Sequence, residues 1–555
     1  MPFNSFDFIF VFLPLCIVGY YLVQKYFGKT PSLVFLLGAC FVFYGWWDPG
    51  LIWVIFASIG LNFFCNVVLT TLDRKQETTR FIVLIFGVGL NLSLIAYYKY
   101  FFFLGSIVDD AFSTSFNFSE LILPLGISFF TFQQIAFLVD TWGGHVKRQS
   151  LLHYALFVTF FPQLIAGPIV RHDELLPQFR KMTLFSNTNL SIGLTFFIIG
   201  LVKKVLIADN LALFATPVFV KAEGGTLVSF VDAWGAALAY TFQLYFDISG
   251  YADMAVGLGR IFGIRIPLNF NSPMKAKSII DFWQRWHLTL THFLTGYCYN
   301  PITLKVTRYR AIRRLPGLRG GVGTPGAFLS LLAMPTMITM TLAGIWHGAG
   351  YQFIVFGFLH GLFLVLNHAW RGLMHSWHVK LGAWAKSVLT LASVALTFSL
   401  IVALFVPFRS GSMDSAINIW QGMMGMNGIV LRESYASILG PIGPVLQSLV
   451  GLEFSNSAML IFKGTDQVKW LAFALFICWA LPNTQEFMAR YLVMKDRSDG
   501  ISTDSPVFHS YAHIRKIPDV ISWKPNVFWA ILATGASIAI VNKLTSTSEF
   551  LYFQF

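Results

Sequence analysis

Histidines set among glycine and tryptophan are the first groups in this sequence suited to chemistry. The stretch TLAGIWHGAGYQFIVFGFLHG, Thr341 to Gly361, is almost wholly apolar, yet it carries His347 and His360. A second stretch, SIIDFWQRWHLTLTHFL, Ser278 to Leu294, packs Asp281, Arg285, His287 and His292 among Trp283, Trp286 and Phe293. Imidazole titrates near neutrality, so a neutral histidine can take a proton from a hydroxyl as that hydroxyl attacks a carbonyl. A second histidine can polarise the carbonyl. A site that excludes water protects an activated donor such as a thioester from hydrolysis. Acyl transfer to an alcohol is therefore a chemistry these residues suit. A plain reading stands beside it, in which each histidine is a neutral, hydrogen-bonded member of a helix bundle.

Other polar groups sit in apolar runs, where each is expensive and so a functional hypothesis by default. Asp247 and Asp253 lie in TFQLYFDISGYADMAVGLGR, Thr241 to Arg260. They could pair with Arg260 or Arg265 and fix helix packing, or relay protons. Asn269 and Asn271 precede Pro273 in IPLNFNSPMKAKS, which reads as a loop leading into the second histidine stretch. On one continuous helix His347 and His360, 13 residues apart, would point in roughly opposite directions. A break at Gly348 to Gly350 would change that. Helical spacing puts His287 and Thr291 on one face and Arg285 and His292 on another. No HExxH or HxxxH spacing joins the four histidines, and the five cysteines are scattered without a CxxC, so no metal is expected. Gly321 to Gly326 formally matches GxGxxG, but no strand precedes it and no acid lies about 20 residues on, so it is read as loop.

The elements that must hold these groups are membrane helices. Of 555 residues, 56% are hydrophobic and only 12% charged, about half the charge of a soluble domain. Apolar runs recur along the whole length, which predicts an all-α polytopic bundle of about 10–13 spans with re-entrant segments. Thirteen candidates fall at about 6–24, 31–47, 50–71, 81–104, 120–140, 151–168, 188–208, 226–246, 327–346, 351–371, 387–407, 468–484 and 526–543. Stretch 281–300 is apolar but interrupted, hence re-entrant or interfacial. The net charge of +13 is spread over connections between spans, as expected of cytoplasmic loops rather than of a nucleic-acid partner. Lys25, Lys29, Arg74, Lys75, Arg80, Lys147 and Arg148 mark inside connections, whereas 105–120 holds Asp109, Asp110 and Glu120 and no basic residue. The N-terminus is then outside. Segment 409–467, with three basic residues, reads as an outside loop, and 485–524, with six, as an inside loop. Both termini fall outside only if the number of full crossings is even, and 151–168 is the stretch expected not to cross. Lys203 and Lys204 then sit near the outer end of their span, against the charge rule. Lys305 to Gly326 carries six basic residues and no acid, as a cytoplasmic loop would.

The motif Trp283-x-Arg285-Trp286-His287-x-Thr289-Leu290, followed by Trp346-His347-Gly348-Ala349 with Phe353, Gly357, His360 and Gly361, resembles the membrane-bound O-acyltransferase superfamily. Its bacterial alginate O-acetyltransferase branch is similar in MPFNSFDFIFVFLPL, LPLGISFFTFQQIAFLVD, FFPQLIAGPIVR, FQLYFDISGYADMA, LNFNSPM and the ending FLYFQF. The resemblance covers about 1–410 and the last six residues. It implies a single membrane domain over 1–555, with helices ringed around a central tunnel or funnel. His347 matches the family's catalytic histidine and His287 its second motif histidine, near the cytoplasmic side. Arg285, Asn269, Asn271, Asp247 and Trp346 are candidate substrate-binding residues. The resemblance further implies acetyl-CoA as donor, an extracytoplasmic partner protein, a polysaccharide acceptor and a place in the bacterial cytoplasmic membrane. The basic run from Lys305 to Arg319 departs from the branch, being longer and more basic, and 409–467 has no residue-by-residue match. Another acyl group or acceptor (teichoic acid, lipid or protein) and a transporter subunit stay open as alternatives.

Overall fold

The computed structural model describes residues 1–113, 121–165, 167–181, 184–318, 323–375, 382–455, 461–498, 514, 517–518 and 522–544. Glu120, Arg319, Gly321, most of 499–521 and the ending FLYFQF lie outside the described residues. The described chain is α-helical apart from two three-residue strands, Ile429–Leu431 and Leu452–Phe454, paired in parallel. It forms two compact units interleaved in sequence: Met1–Val205 with Ile248–Asn269 and Asn483–Phe555, and Leu206–Asp247 with Phe270–Pro482.

Among the described residues, seven helices are long and apolar enough to cross a membrane: Asp7–Phe27, Pro49–Thr71, Glu77–Asp109, Asn187–Glu223, Pro325–His347, Tyr351–Met374 and Ala383–Arg409. Lys29–Gly45 and Val527–Val541 are shorter apolar helices. The protein is a multi-pass, all-α membrane protein. Local chemistry sets the helix starts. Thr324 accepts a hydrogen bond from the Ala327 N–H with Pro325 in the first turn, and Ser278 does the same for Asp281. In place of the apolar run at 151–168 there is a nine-residue helix, Leu151–Thr159, then a single turn, Phe161–Leu164. Nine residues rise about 13 Å, too little for a bilayer core of about 30 Å.

Buried polar side chains stitch the helices of the first unit together. Asn91 donates to Asn62 at 2.6 Å, Asn66 to Thr141 at 3.0 Å, and Gln134 to Ser58 at 2.8 Å. Such bonds contribute about 0.6 kcal/mol each inside membranes, and they fix which faces meet. Two glycine pairs bring the Asn187–Leu201 helix onto the second half of Phe230–Ile261. A Cβ at Gly193 would stand 2.6 Å from the Gly257 carbonyl oxygen, and one at Gly250 would stand 2.7 Å from that of Gly200. This close approach lets Lys203 reach Asp253 at 2.6 Å, with the Thr484 hydroxyl donating to the same carboxylate oxygen at 2.6 Å. The expected partners of Asp253, Arg260 and Arg265, are thus not its partners. Lys203 is spent on this largely buried ion pair.

In the second unit, Met334–His347 and Tyr351–His375 form a tight hairpin. A Cβ at Gly344 would lie 2.7 Å from the Gly357 Cα, so only glycine allows that contact. Segment 409–467, expected as a loop, is largely folded: besides the two strands it holds Met413–Met423, Ser434–Leu439 and Ile442–Val450, while 456–460 lie outside the described residues. Asp232 anchors its far end by accepting the N–H groups of Ile461 at 3.1 Å and Phe462 at 2.7 Å.

Candidate active site

The helix Met334–His347 stops at His347 because Gly348 is extended, with φ −162° and ψ 161°. A new helix begins at Tyr351, so the chain is broken at Gly348 to Gly350 and the two histidines are not held at opposite faces of one rod. His347 is buried, 8% exposed, within an aromatic wall. Its ring centroid lies 4.8 Å from Trp346, 5.0 Å from Phe408 and 5.9 Å from Phe356. Phe356 also packs against His360, with ring centroids 4.5 Å apart. His360 is fully buried. Phe405 and Phe408 come from the stretch LFVPFR at the end of the Ala383–Arg409 helix.

The second motif folds quite differently from a single helix. Ile279–Trp283 ends in a turn through Gln284, Arg285 and Trp286, and a new helix, Leu288–Leu294, starts after His287. The expected face shared by Arg285 and His292 assumes continuity across this turn and is corrected by it, whereas His287 and Thr291 keep helical spacing, the His287 carbonyl accepting the Thr291 N–H at 3.0 Å. His287 adopts a left-handed backbone, φ 44° and ψ 55°, which costs a non-glycine residue on the order of 1 kcal/mol or more. It caps the new helix, its Nδ1 accepting the Leu290 N–H at 3.4 Å. That bond puts the proton of the neutral ring on Nε2. Trp286 holds the turn in place, stacked on Phe282 at 5.4 Å and edge-on to Phe270 at 5.1 Å.

Arg285 points away from the histidines' chain of contacts. Its Nε donates to Asp281 at 2.7 Å and one terminal nitrogen to the Asn271 carbonyl at 3.3 Å, while the Asn271 N–H donates to the Arg285 carbonyl at 2.9 Å. Arg285 and Asn271 thus tie the NFNSP loop to the His287 turn. Asp247 is buried at 1% exposure on Phe230–Ile261, and Asn269 at 2% on the stretch that follows that helix. Trp346, 4% exposed, packs beside His347.

A buried hydrogen bond joins the two motifs. The Trp283 indole N–H donates to His360 Nδ1 at 3.3 Å, with the rings edge-on at 5.3 Å. His360 is thus the hinge between the His287 turn and the His347 hairpin, a role that its spacing in the sequence did not reveal. With Nδ1 accepting, the neutral His360 carries its proton on Nε2, an atom that is buried and has no hydrogen-bond partner among the described residues. Of the three histidines, His287 and His360 both have Nδ1 committed to a donor. Arrangements of this kind can hold a proton acceptor, an N–H donor and an acyl group in a dry, aromatic setting.

A multi-pass helical protein with paired histidine motifs on a broken hairpin and a strained turn is the setting of an intramembrane acyltransferase. The family model of MBOAT, the membrane-bound O-acyltransferase family, matches residues 143–312, which include the His287 turn. The peptidoglycan O-acetyltransferase of Helicobacter pylori is 39% identical over 462 residues, 77% of this chain and 81% of its own. The probable alginate O-acetylase AlgI of Pseudomonas aeruginosa is 32% identical along the whole of both chains. The teichoic acid D-alanyltransferase of Bacillus subtilis is 30% identical over 44% of this chain and 59% of its own. The chain belongs to the membrane-bound O-acyltransferase family, and it is an O-acyltransferase.

Proposed function

We propose that this enzyme moves an acetyl group from cytoplasmic acetyl-CoA towards an extracytoplasmic glycan, with His347 as the general base. The observation that carries this reading is the placement of His347 at a helix break, buried against Trp346, Phe356 and Phe408. A glycan acceptor is supported by the relatives, whose names specify alginate and peptidoglycan. In the proposed reaction a hydroxyl oxygen attacks the thioester carbonyl and passes its proton to the His347 imidazole. The intermediate collapses with loss of the CoA thiolate, which takes that proton, leaving an ester and a free thiol. His287, with Nε2–H available, donates to the carbonyl or orients the donor. Arg285 and Asn271 keep the His287 turn in register, and Trp346, Asp247 and Asn269 are the remaining pocket candidates.

The reading extends to topology and partners. The enzyme sits in the bacterial cytoplasmic membrane with both termini outside, and an extracytoplasmic partner protein completes delivery to the polysaccharide. The basic run from Lys305 favours the CoA phosphates on the inner side. Within it Arg310 is spent on structure, donating to the carbonyls of Pro316 and Gly326 and to the Ser330 hydroxyl, so among the described residues Lys305, Arg308, Arg313 and Arg314 are left for phosphate contact. A second reading, transfer of D-alanine to teichoic acid, is favoured by the Bacillus subtilis relative but rests on less than half of the chain. Thioester consumption by the purified protein discriminates. Cleavage of acetyl-CoA in the presence of a glycan acceptor supports acetyl transfer. An enzyme that leaves acetyl-CoA intact while acting on another acyl thioester overturns the acetyl assignment, and transport without thioester cleavage overturns the whole reading.

A further inference from the structure

Two of the grooves among the described residues lie along apolar helices and differ in charge. The larger, about 550 Å³, is lined by residues such as Ile9, Leu13, Leu194, Phe197 and Ile538, and no charged side chain lines it. It suits the hydrocarbon that surrounds any membrane protein. The other, about 460 Å³, belongs to the second unit and is lined by Lys275, Lys386, Ser387, Thr390, Leu391, Val394 and Trp479. Two lysines and two hydroxyls in such a groove call for a specific occupant.

The order of these residues along the chain gives the groove a polarity gradient. Lys386 and Ser387 fall in the first turns of Ala383–Leu404, the start of a membrane span, beside Trp384, which is 79% exposed. An exposed tryptophan at a span end marks the headgroup level of the bilayer. Leu391 and Val394 lie five to eight residues further in, roughly 8–12 Å deeper towards the hydrocarbon. Cations and hydroxyls at headgroup depth above aliphatic walls match an amphiphile with an anionic head and an acyl tail.

The lysines are held differently. The short turn Pro273–Lys275 is fastened to the end of the Thr465–Ala480 helix. Lys275 Nζ donates to the Leu481 carbonyl at 2.8 Å, and the Trp479 indole N–H to the Met274 carbonyl at 3.1 Å. One bond leaves the Lys275 ammonium two further N–H donors for a ligand. Lys386 is exposed on the opposite wall. The lining itself is one-sided in charge, with two lysines and no Asp or Glu. An anion entering the groove therefore meets no carboxylate among the lining residues.

We propose that this groove is a binding site for an anionic phospholipid, its phosphate held between Lys275 and Lys386 and one acyl chain laid along Leu391, Val394 and Trp479. The site is separate from the histidine cluster and does not depend on which acyl group or acceptor the enzyme uses. A bound anionic lipid would clamp the Pro273–Lys275 turn to the Ala383–Leu404 helix and so steady the loop that leads into the His287 turn.

The test uses the full chain in detergent, with thermal midpoint followed as phosphatidylglycerol or phosphatidylcholine of matched acyl chains is added. The wild type should be stabilised by phosphatidylglycerol at lower concentration than by phosphatidylcholine. Lys386→Gln, a change at an exposed position, should raise the phosphatidylglycerol concentration needed about fivefold, since a lysine near anionic lipid is worth about a factor of that size. Lys275→Gln combined with it should remove the preference. Equal responses to the two lipids, or an unchanged phosphatidylglycerol response in Lys386→Gln, overturn the proposal. Displacement of phosphatidylglycerol by acetyl-CoA would assign the groove to the acyl donor instead and overturn it equally.

Discussion

Trp283 and His360 stand 77 residues apart in sequence and share a buried hydrogen bond, indole N–H to imidazole Nδ1, at 3.3 Å. Through it the turn that carries His287 is coupled to the hairpin that carries His347. Phe356 continues the line, packed 4.5 Å from His360 and 5.9 Å from His347. The two histidine motifs are parts of one cluster.

Trp283→Phe keeps a ring in place but removes the N–H that meets His360 Nδ1. A buried acceptor left without its donor costs about 1–3 kcal/mol. The thermal midpoint of the purified variant should fall, and acyl transfer should fall with it. A variant as stable and as active as the wild type would show that the bond couples nothing.

His287→Asn separates structure from chemistry. Asparagine tolerates the left-handed backbone at this position and can cap the Leu288–Leu294 helix in place of the imidazole. The variant should therefore reach normal levels in the membrane yet lose most acyl transfer, because no ring N–H remains. Activity within a few-fold of wild type at equal abundance would reduce His287 to a capping residue.

The Lys203–Asp253 pair predicts a non-additive pattern. Removing one partner, as in Lys203→Met or Asp253→Leu, strands a buried charge and should cost about 3–5 kcal/mol. The double variant should recover much of that loss, since neither charge remains. Thermal unfolding of the three proteins reads this directly. A double variant less stable than both single variants would mean that the pair is not coupled.

Much of the fold was legible because membrane helices are written in local composition. The run at 351–371 became Tyr351–His375, and that at 50–71 became Ile52–Thr71. The break at Gly348 to Gly350 was readable from its glycines. What was not legible depends on contacts between distant residues. Asp253 could not be assigned to Lys203, 50 positions away, because only the glycine pairs on the two helices bring them together. The turn at Gln284 to His287 carries no proline or glycine, so the histidine spacing was read as continuous helix. It is Trp286, buried against Phe270 and Phe282, that stabilises the strained His287 backbone. His360 offered no local sign of its role, since its partner lies in another motif.

The most direct test of the account is glycan O-acetyl content in cells carrying His347→Ala, with the amount of protein in the membrane measured alongside. The account predicts loss of O-acetyl groups at normal protein abundance, because the proton of the attacking hydroxyl then has no acceptor. Acetylation retained at wild-type level in cells expressing only the variant would contradict it and remove His347 as the base.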